Sequence, residues 1–346
     1  MIRADEGMGF LLKYENVAWY EDGVVRILDR RIYPVRVEYV TCHRHEEVAQ
    51  AIADMVTQSG GPYTAAAMGM ALAAYEARDK KEKELTAYME AAAHTLSHAR
   101  PTTVEKMKRV VEGALKVVYD KAEAGETGQA LVDALAQYAF EYINSNYTRY
   151  QSIGSYLADK IPMGGTIMTQ CFAETVIGTL LNECRRRNNE IKLICPETRP
   201  YFQGARLTAS VAYDMGFDVT VITDNMPACV MKEKRVDLFT SAADVITVDG
   251  HIVNKVGTFQ IALAAQYWGI PYYATGTPNP KHPDMSSVSI ELRDPELAME
   301  AMGIKVTEDG VKGYYPAFDV TPPKLCNGVV TDKGIFTPYN LDAYFH

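Results

Sequence analysis

A chain of 346 residues, 47% apolar and 23% charged, has an ordinary globular composition and the length for two domains. Its net charge of -9 excludes a general binder of nucleic-acid backbone, which needs clustered Lys and Arg, so no nucleic-acid partner is expected. No apolar run reaches the roughly 18 residues of a membrane span, MIRADEGMGF lacks a signal-peptide pattern, and the six cysteines show neither a CxxC pair nor framework spacing, so the expected address is the cytoplasm, with no membrane partner.

Residues 10–41 alternate in β fashion around Asp22-Gly23, a hairpin turn by composition, and run on into the strand-like VRVEYVT. From His45 to Val56 the apolar positions Val48, Ile52, Met55 and Val56 have helical spacing, and the turn Ser59-Gly60-Gly61-Pro62 ends them. The next helix, from Pro62 or Tyr63, carries TAAAMGMALAAYEA, so small and apolar on every side that it must be buried; KKEKELTAYMEAAAHTLSHA is amphipathic instead. In RPTTVE, Pro101 holds Arg100 out of helical geometry and Thr102 with Glu105 fits a capping box, which leaves Arg100 near positive helix ends as an anion contact. Helical patterns follow over 104–122 and 129–143. The domain junction is expected within 125–150, and we set the domains at 1–130 and 131–346.

Beyond the junction strand and helix alternate. Strands are predicted at 164–169, 191–195, 218–223, 236–240 and 271–275, and helices at 172–186, 204–215, 226–232 and from near Gly257 to Trp268. This is the pattern of a Rossmann-like α/β domain, a doubly wound and mostly parallel sheet, preceded by a smaller β-hairpin and helical domain.

In such a sheet ligands bind beyond the carboxyl ends of the strands. Those ends deliver Gln170-Cys171, Pro196-Glu197-Thr198-Arg199, Asp224-Asn225, Ala243-Asp244 and Gly276-Thr277. Cys171, between a strand end and a helix start, is expected to have a lowered pKa and to act as base or nucleophile; the alternative is a buried structural cysteine. Asp244 could equally cap a helix. The span 236–260 packs a strand, this acid, Asn254-Lys255 and a helix start closely together, a combination suited to an anionic substrate. Arg199 and Arg206 flank a Gly-containing helix start suited to phosphate or sugar hydroxyls, and the chain has no GxGxxG or Walker loop. Two clusters could hold a metal, His94 with His98 and Cys42-His43-Arg44-His45. Neither has further partners at zinc-type spacing, so no metal is expected.

The blocks ETRPYFQGARLTA (197–209), ITDNM (222–226), AADVITVDGHIVNKVGTFQIALAA (242–265) and IELRDPE (290–296) resemble one family. Its members are methylthioribose-1-phosphate isomerases, ribose-1,5-bisphosphate isomerases and regulatory subunits of translation initiation factor 2B. LDRRIYP (28–34), PAFDVTPPKL (316–325) and VVTDKGIFTP (329–338) resemble the methylthioribose-1-phosphate isomerase branch.

The resemblance implies an aldose–ketose isomerase converting 5-methylthioribose 1-phosphate to 5-methylthioribulose 1-phosphate, a homodimer without a required cofactor. It implies Cys171 as catalytic thiol and Asp244 as catalytic acid, with Arg100, Gln203, Asn254 and Lys255 as contacts to the sugar phosphate substrate. Ser59, Gly60 and Gly61 match a substrate-binding Arg-Gly-Ala-Pro turn. The chain departs from the family pattern at Ser59, which replaces Arg, at Gln170, Phe172 and Glu174 around the thiol, and at Val245, which replaces Arg. Rival substrates are therefore 5-deoxyribose 1-phosphate and ribose 1,5-bisphosphate, and the rival of another class is a non-catalytic regulatory protein that binds a sugar phosphate or nucleotide.

Overall fold

A computed structural model describes residues 3–100 and 104–346, apart from the Glu82 side chain. The chain forms two compact units, built mainly of Phe10–Thr148 and of Arg149–His346. The division lies within the expected 125–150 window but beyond 130/131. One helix runs unbroken from Gln129 to Ala158, and Leu131, Val132, Leu135 and Ala139 on its first half belong to the first unit's core.

In the first unit, β1 (Trp19–Glu21), β2 (Val24–Leu28) and β3 (Tyr39–Cys42) make an antiparallel sheet in that order. Asp22 and Gly23 both have positive φ, 47° and 79°, the backbone of a two-residue hairpin turn whose twist suits the flanking strands. The helices are α1 (His45–Ala53), α2 (Gly61–Glu76), α3 (Glu82–Ser97), α4 (Val104–Glu123) and α5 (Gln129–Ala158). As its composition requires, α2 is buried along most of its length and packs against β1, β2, α1, α3 and α4. The capping box expected at Thr102 lies outside the described residues.

The second unit alternates as anticipated. Its elements are β4 (Thr166–Met168), α6 (Thr175–Arg186), β5 (Lys192–Pro196), α7 (Ala209–Asp214), β6 (Asp218–Ile222), α8 (Pro227–Glu233), β7 (Leu238–Ala242), β8 (Val245–Ile246), β9 (Ile252–Lys255), α9 (Thr258–Trp268) and β10 (Tyr272–Thr275). An excursion with α10 (Glu296–Met299), β11 (Glu300–Ala301) and β12 (Ile304–Lys305) follows, then β13 (Phe318–Thr321), β14 (Gly328–Thr331) and β15 (Gly334–Phe336). The main sheet has the order β15-β14-β10-β7-β4-β5-β6 and is parallel except for the edge pair β14 and β15. From β6 to β14 this is the 3-2-1-4-5-6 order of a doubly wound fold, and the winding reverses between β4 and β7. Met168, Ile194, Phe239, Ala274 and Val329 from five of its strands meet in the core.

Three expectations shift. The helix expected from 172 starts at Thr175, so Cys171 stands in the loop before it. The helix expected over 204–215 opens with a π-helical turn, Gly204–Thr208. There Gly204 lies so close to the preceding strand that an added Cβ would stand 1.8 Å from the Pro196 carbonyl oxygen. Asn254 and Lys255 precede α9 as read, but they also end a buried strand that was not anticipated, in a second, antiparallel sheet, β13-β9-β8. No helix among the described residues is long and apolar enough to cross a membrane.

Candidate active site

The two strands at which the winding reverses each deliver one of the expected catalytic residues. Cys171 follows β4 and Asp244 follows β7, which is where an open α/β sheet holds its ligand. The Cys171 backbone is clamped from both sides: its amide donates to Thr198 Oγ1 at 3.2 Å, and its carbonyl accepts from Thr208 Oγ1 at 2.5 Å. Both threonines are buried and lie in the segment after β5. Asp224, beyond β6, fixes that segment in turn by accepting from the Thr198 and Arg199 amides at 2.8 and 2.7 Å. Each strand end thus holds its neighbour. Cys171, Glu174, Thr198 and Phe202 all have positive φ, between 45° and 63°, a concentration of backbone strain of the kind found at functional sites.

The thiol is not the low-pKa group expected from the sequence. Burial pushes it up to about 11 and the Asp244 carboxylate adds to the rise, while Lys255, the Phe172 amide and Arg293 pull the other way. The reason is local. The helix that was to stabilise a thiolate begins four residues later, at Thr175, and its terminal dipole fades within about one turn. Cys171 instead borders a pocket with room for about one water, shared with Thr169, Gln170, Thr240, Ser241 and Thr275 at the ends of β4, β7 and β10. Asp244 is exposed at the end of β7.

On β9, Asn254 and Lys255 are both buried. Asn254 Nδ2 donates to Thr258 Oγ1 at 3.0 Å, which ties the strand to the first turn of α9. Lys255 Nζ stands 4.7 Å from the ring centre of Phe318, its cross-strand partner. Burial holds the Lys255 pKa below its ordinary value; Arg293 adds to that, and the charges of Cys171, Asp244 and Glu291 oppose it. Asp319 Oδ2 accepts the amides of Gly257 and Phe259 at 2.7 and 3.1 Å, and burial raises its carboxyl to about 6. Gly257 has φ 106°, and a Cβ there would meet Gln170 Nε2 at 2.8 Å. Gln203 is buried at the start of the π-helical turn, and its side-chain oxygen has no hydrogen-bond partner among the described residues.

The remaining expected contacts belong to the first unit. Ser59 is exposed with φ 58°, Gly60 is half-buried, and buried Gly61 opens α2, where an added Cβ would stand 1.8 Å from Thr57 Oγ1. Arg100 is half-buried just beyond α3. The two candidate metal clusters take other forms. His94 and His98 stack at 4.0 Å, and His45 meets Glu76 rather than Cys42, with His45, Glu46 and Glu76 the three-residue ligand set among the described residues. Arg44 pairs with Glu46, and Tyr88 donates to Glu76.

The sequence reading did not single out Thr198 and Thr208, although both lie in the ETRPYFQGARLTA block, nor Arg293 of IELRDPE, whose charge acts on Cys171 and Lys255.

Residues 58–338 match the Initiation factor 2 subunit family. The chain is 35% identical over 339 residues to methylthioribose-1-phosphate isomerase of Thermotoga maritima, covering 94% of this chain and 96% of that one. It is similar in structure to 5-methylthioribose 1-phosphate isomerase from Pyrococcus horikoshii, with a TM-score of 0.86 and 28% identity over 96% of this chain and 97% of the other. It is similar also to the delta subunit of translation initiation factor eIF-2B from A. fulgidus, with a TM-score of 0.82 and 29% identity over 93% and 96% of the two chains. With the matched region spanning most of its length, the chain belongs to the Initiation factor 2 subunit family.

Proposed function

We propose that the chain is a methylthioribose-1-phosphate isomerase that converts 5-methylthioribose 1-phosphate to 5-methylthioribulose 1-phosphate, a step of methionine salvage. One observation carries the reading: a thiol and a carboxylate follow the two strands where the winding reverses, and a buried lysine feels the charge of both. Relatives of that name matching nearly the full length support it.

The reacting pair shares one proton. Burial favours the thiol form of Cys171; the reactive form has Cys171 as thiolate and Asp244 as acid. The thiolate takes the proton from C2 as the bond from C1 to the ring oxygen breaks. Asp244 protonates that oxygen, which becomes the C4 hydroxyl, and a C1–C2 enol remains. Cys171 then returns its proton to C1, while the C2 hydroxyl gives its own to Asp244 as the ketone forms. One proton has moved from C2 to C1 and one from the C2 oxygen to the ring oxygen, and both side chains end as they began.

Ser59, Gly60, Gly61, Arg100, Gln203, Asn254 and Lys255 serve as substrate contacts, Lys255 and Arg100 on the phosphate. None of these steps calls on a cofactor. The chain acts as a cytoplasmic homodimer: the free thiols of all six cysteines and the exposed apolar ridge Phe259, Leu263 and Tyr267 on α9 support that setting and self-association.

A proton NMR time course with 5-methylthioribose 1-phosphate, 5-deoxyribose 1-phosphate and ribose 1,5-bisphosphate in parallel tests the reading. Conversion to the ketose phosphate is expected, fastest with the first. Silence on all three would leave the regulatory binding protein as the better account.

A further inference from the structure

The segment that carries IELRDPE returns to the site by an antiparallel contact. The Arg293 amide donates to the Tyr315 carbonyl at 2.9 Å, the Ala317 amide donates to the Glu291 carbonyl at 2.8 Å, and Leu292 faces Pro316 across the bridge. The same run continues into β13, where Phe318 lies opposite Lys255. Side chains alternate along such a run, so Leu292 is exposed while the Arg293 side chain is only 10% exposed.

Glu291 grips Arg293 at two points, Nε at 2.9 Å and Nη2 at 3.2 Å, which fixes the plane of the guanidinium and leaves Nη1. Its Cζ stands 5.6 Å from the Phe318 ring centre, and Lys255 Nζ stands 4.7 Å from the same centre. Two largely buried cations therefore share one aromatic ring. Glu291 answers one of them; among the described residues no carboxylate lies within ion-pair distance of Lys255, whose ammonium burial disfavours. Beside them Tyr315 is 5% exposed, and among the described residues its hydroxyl makes no hydrogen bond of good geometry, although the Arg293 side chain lies close enough to pull its pKa down. Burial pushes that hydroxyl up to about 12, so it keeps its proton and can donate. A buried donor without an acceptor is rare in native proteins and asks for one.

We infer that Arg293 and Tyr315, with Lys255, form the subsite for the substrate's phosphate group. A phosphate dianion answers two cations and an unpaired donor at once, which a neutral sugar hydroxyl does not. The inference rests on the sugar phosphate reading above.

Calorimetric titration in a C171A background, where turnover is stopped, tests it with two ligands: 5-methylthioribose 1-phosphate and the same sugar without phosphate. R293M is expected to weaken binding of the phosphorylated sugar by roughly 10- to 100-fold, the worth of a charged hydrogen bond. Y315F should weaken it several-fold, and R293K, which keeps the charge but loses the fork, should recover part of the loss. Binding of the unphosphorylated sugar should stay the same in all three. With Cys171 present, the loss should fall on KM more than on kcat. Equal weakening of both ligands, or none in R293M and Y315F, would overturn the inference while leaving the isomerase in place. If neither C171A nor the unaltered protein takes the phosphorylated sugar, the functional reading falls and the subsite with it.

Discussion

Both units pair most of their buried polar groups, and among the described residues the second leaves more of them unmatched than the first. In the first, Arg3 meets Asp5 and Glu15, Tyr14 donates to Asn144, and Glu76 is met by His45 and Tyr88. Unmatched side-chain atoms there include Thr57 Oγ1 and Gln58 Oε1, beside the positive φ of Ser59. In the second unit such atoms include Gln203 Oε1, Tyr315 Oη and Asp319 Oδ1, and positive φ recurs at Cys171, Thr198 and Phe202. Those named lie beside residues expected to touch substrate, whereas Thr307 Oγ1 and the positive φ of Asn188, Arg235 and Met302 do not. An unpaired buried atom and a strained residue are each costly.

The comparison breaks most sharply if the chemistry does not belong to the second unit. C171A and D244N are each expected to lower kcat by about 10²–10⁴-fold in the NMR assay; wild-type rates in either variant would detach the strand ends from the reaction. A pair of glycines sharpens it next. A Cβ at Gly204 would stand 1.8 Å from the Pro196 carbonyl, which is fixed in β5, whereas one at Gly61 would stand 1.8 Å from the Thr57 hydroxyl, which can turn away. G204A should therefore cost about 3 kcal/mol in urea unfolding and G61A about 1 kcal/mol; equal losses would mean that the two backbones yield alike.

The smallest effect is on the thiol. Alkylation of Cys171 should speed up with pH towards a midpoint near the value of about 11 set by burial. Asp244 raises that midpoint and Lys255 lowers it, so D244N should shift it down and K255M up. A thiol that alkylates at neutral pH as fast as a free cysteine would show that the site is not dry.

What could be read from the sequence was what local pattern decides. The uniformly apolar α2 could only be an interior helix, Asp22-Gly23 could only turn a hairpin tightly, and the alternation after residue 160 revealed the strand ends that carry Cys171 and Asp244. What could not be read depends on partners distant in the chain. β9 is four residues long and carries Asn254 and Lys255, too short and too polar to show alternation; only pairing with β8 and β13 makes it a strand. The helix-start argument for a reactive thiol failed because burial, a non-local property, outweighed a dipole lying several residues away. Arg293 likewise stood in a recognisable motif and Tyr315 just before one, but nothing local said that both turn towards Lys255.

The support of β9 has a consequence for how the protein is made. Asp319 holds the amide of Gly257 from 62 residues further along the chain, and Phe318 faces Lys255 from the same late strand. The last parallel strand of the main sheet, β14, comes later still. During synthesis Cys171 and Asp244 leave the ribosome well before the strand that seats Lys255, at a pace of roughly 5–20 residues per second. The nascent second unit therefore spends several seconds with Cys171 and Asp244 made but Lys255 unseated, and a chain released short of β13 would hold the proposed reacting pair without the strand that seats Lys255.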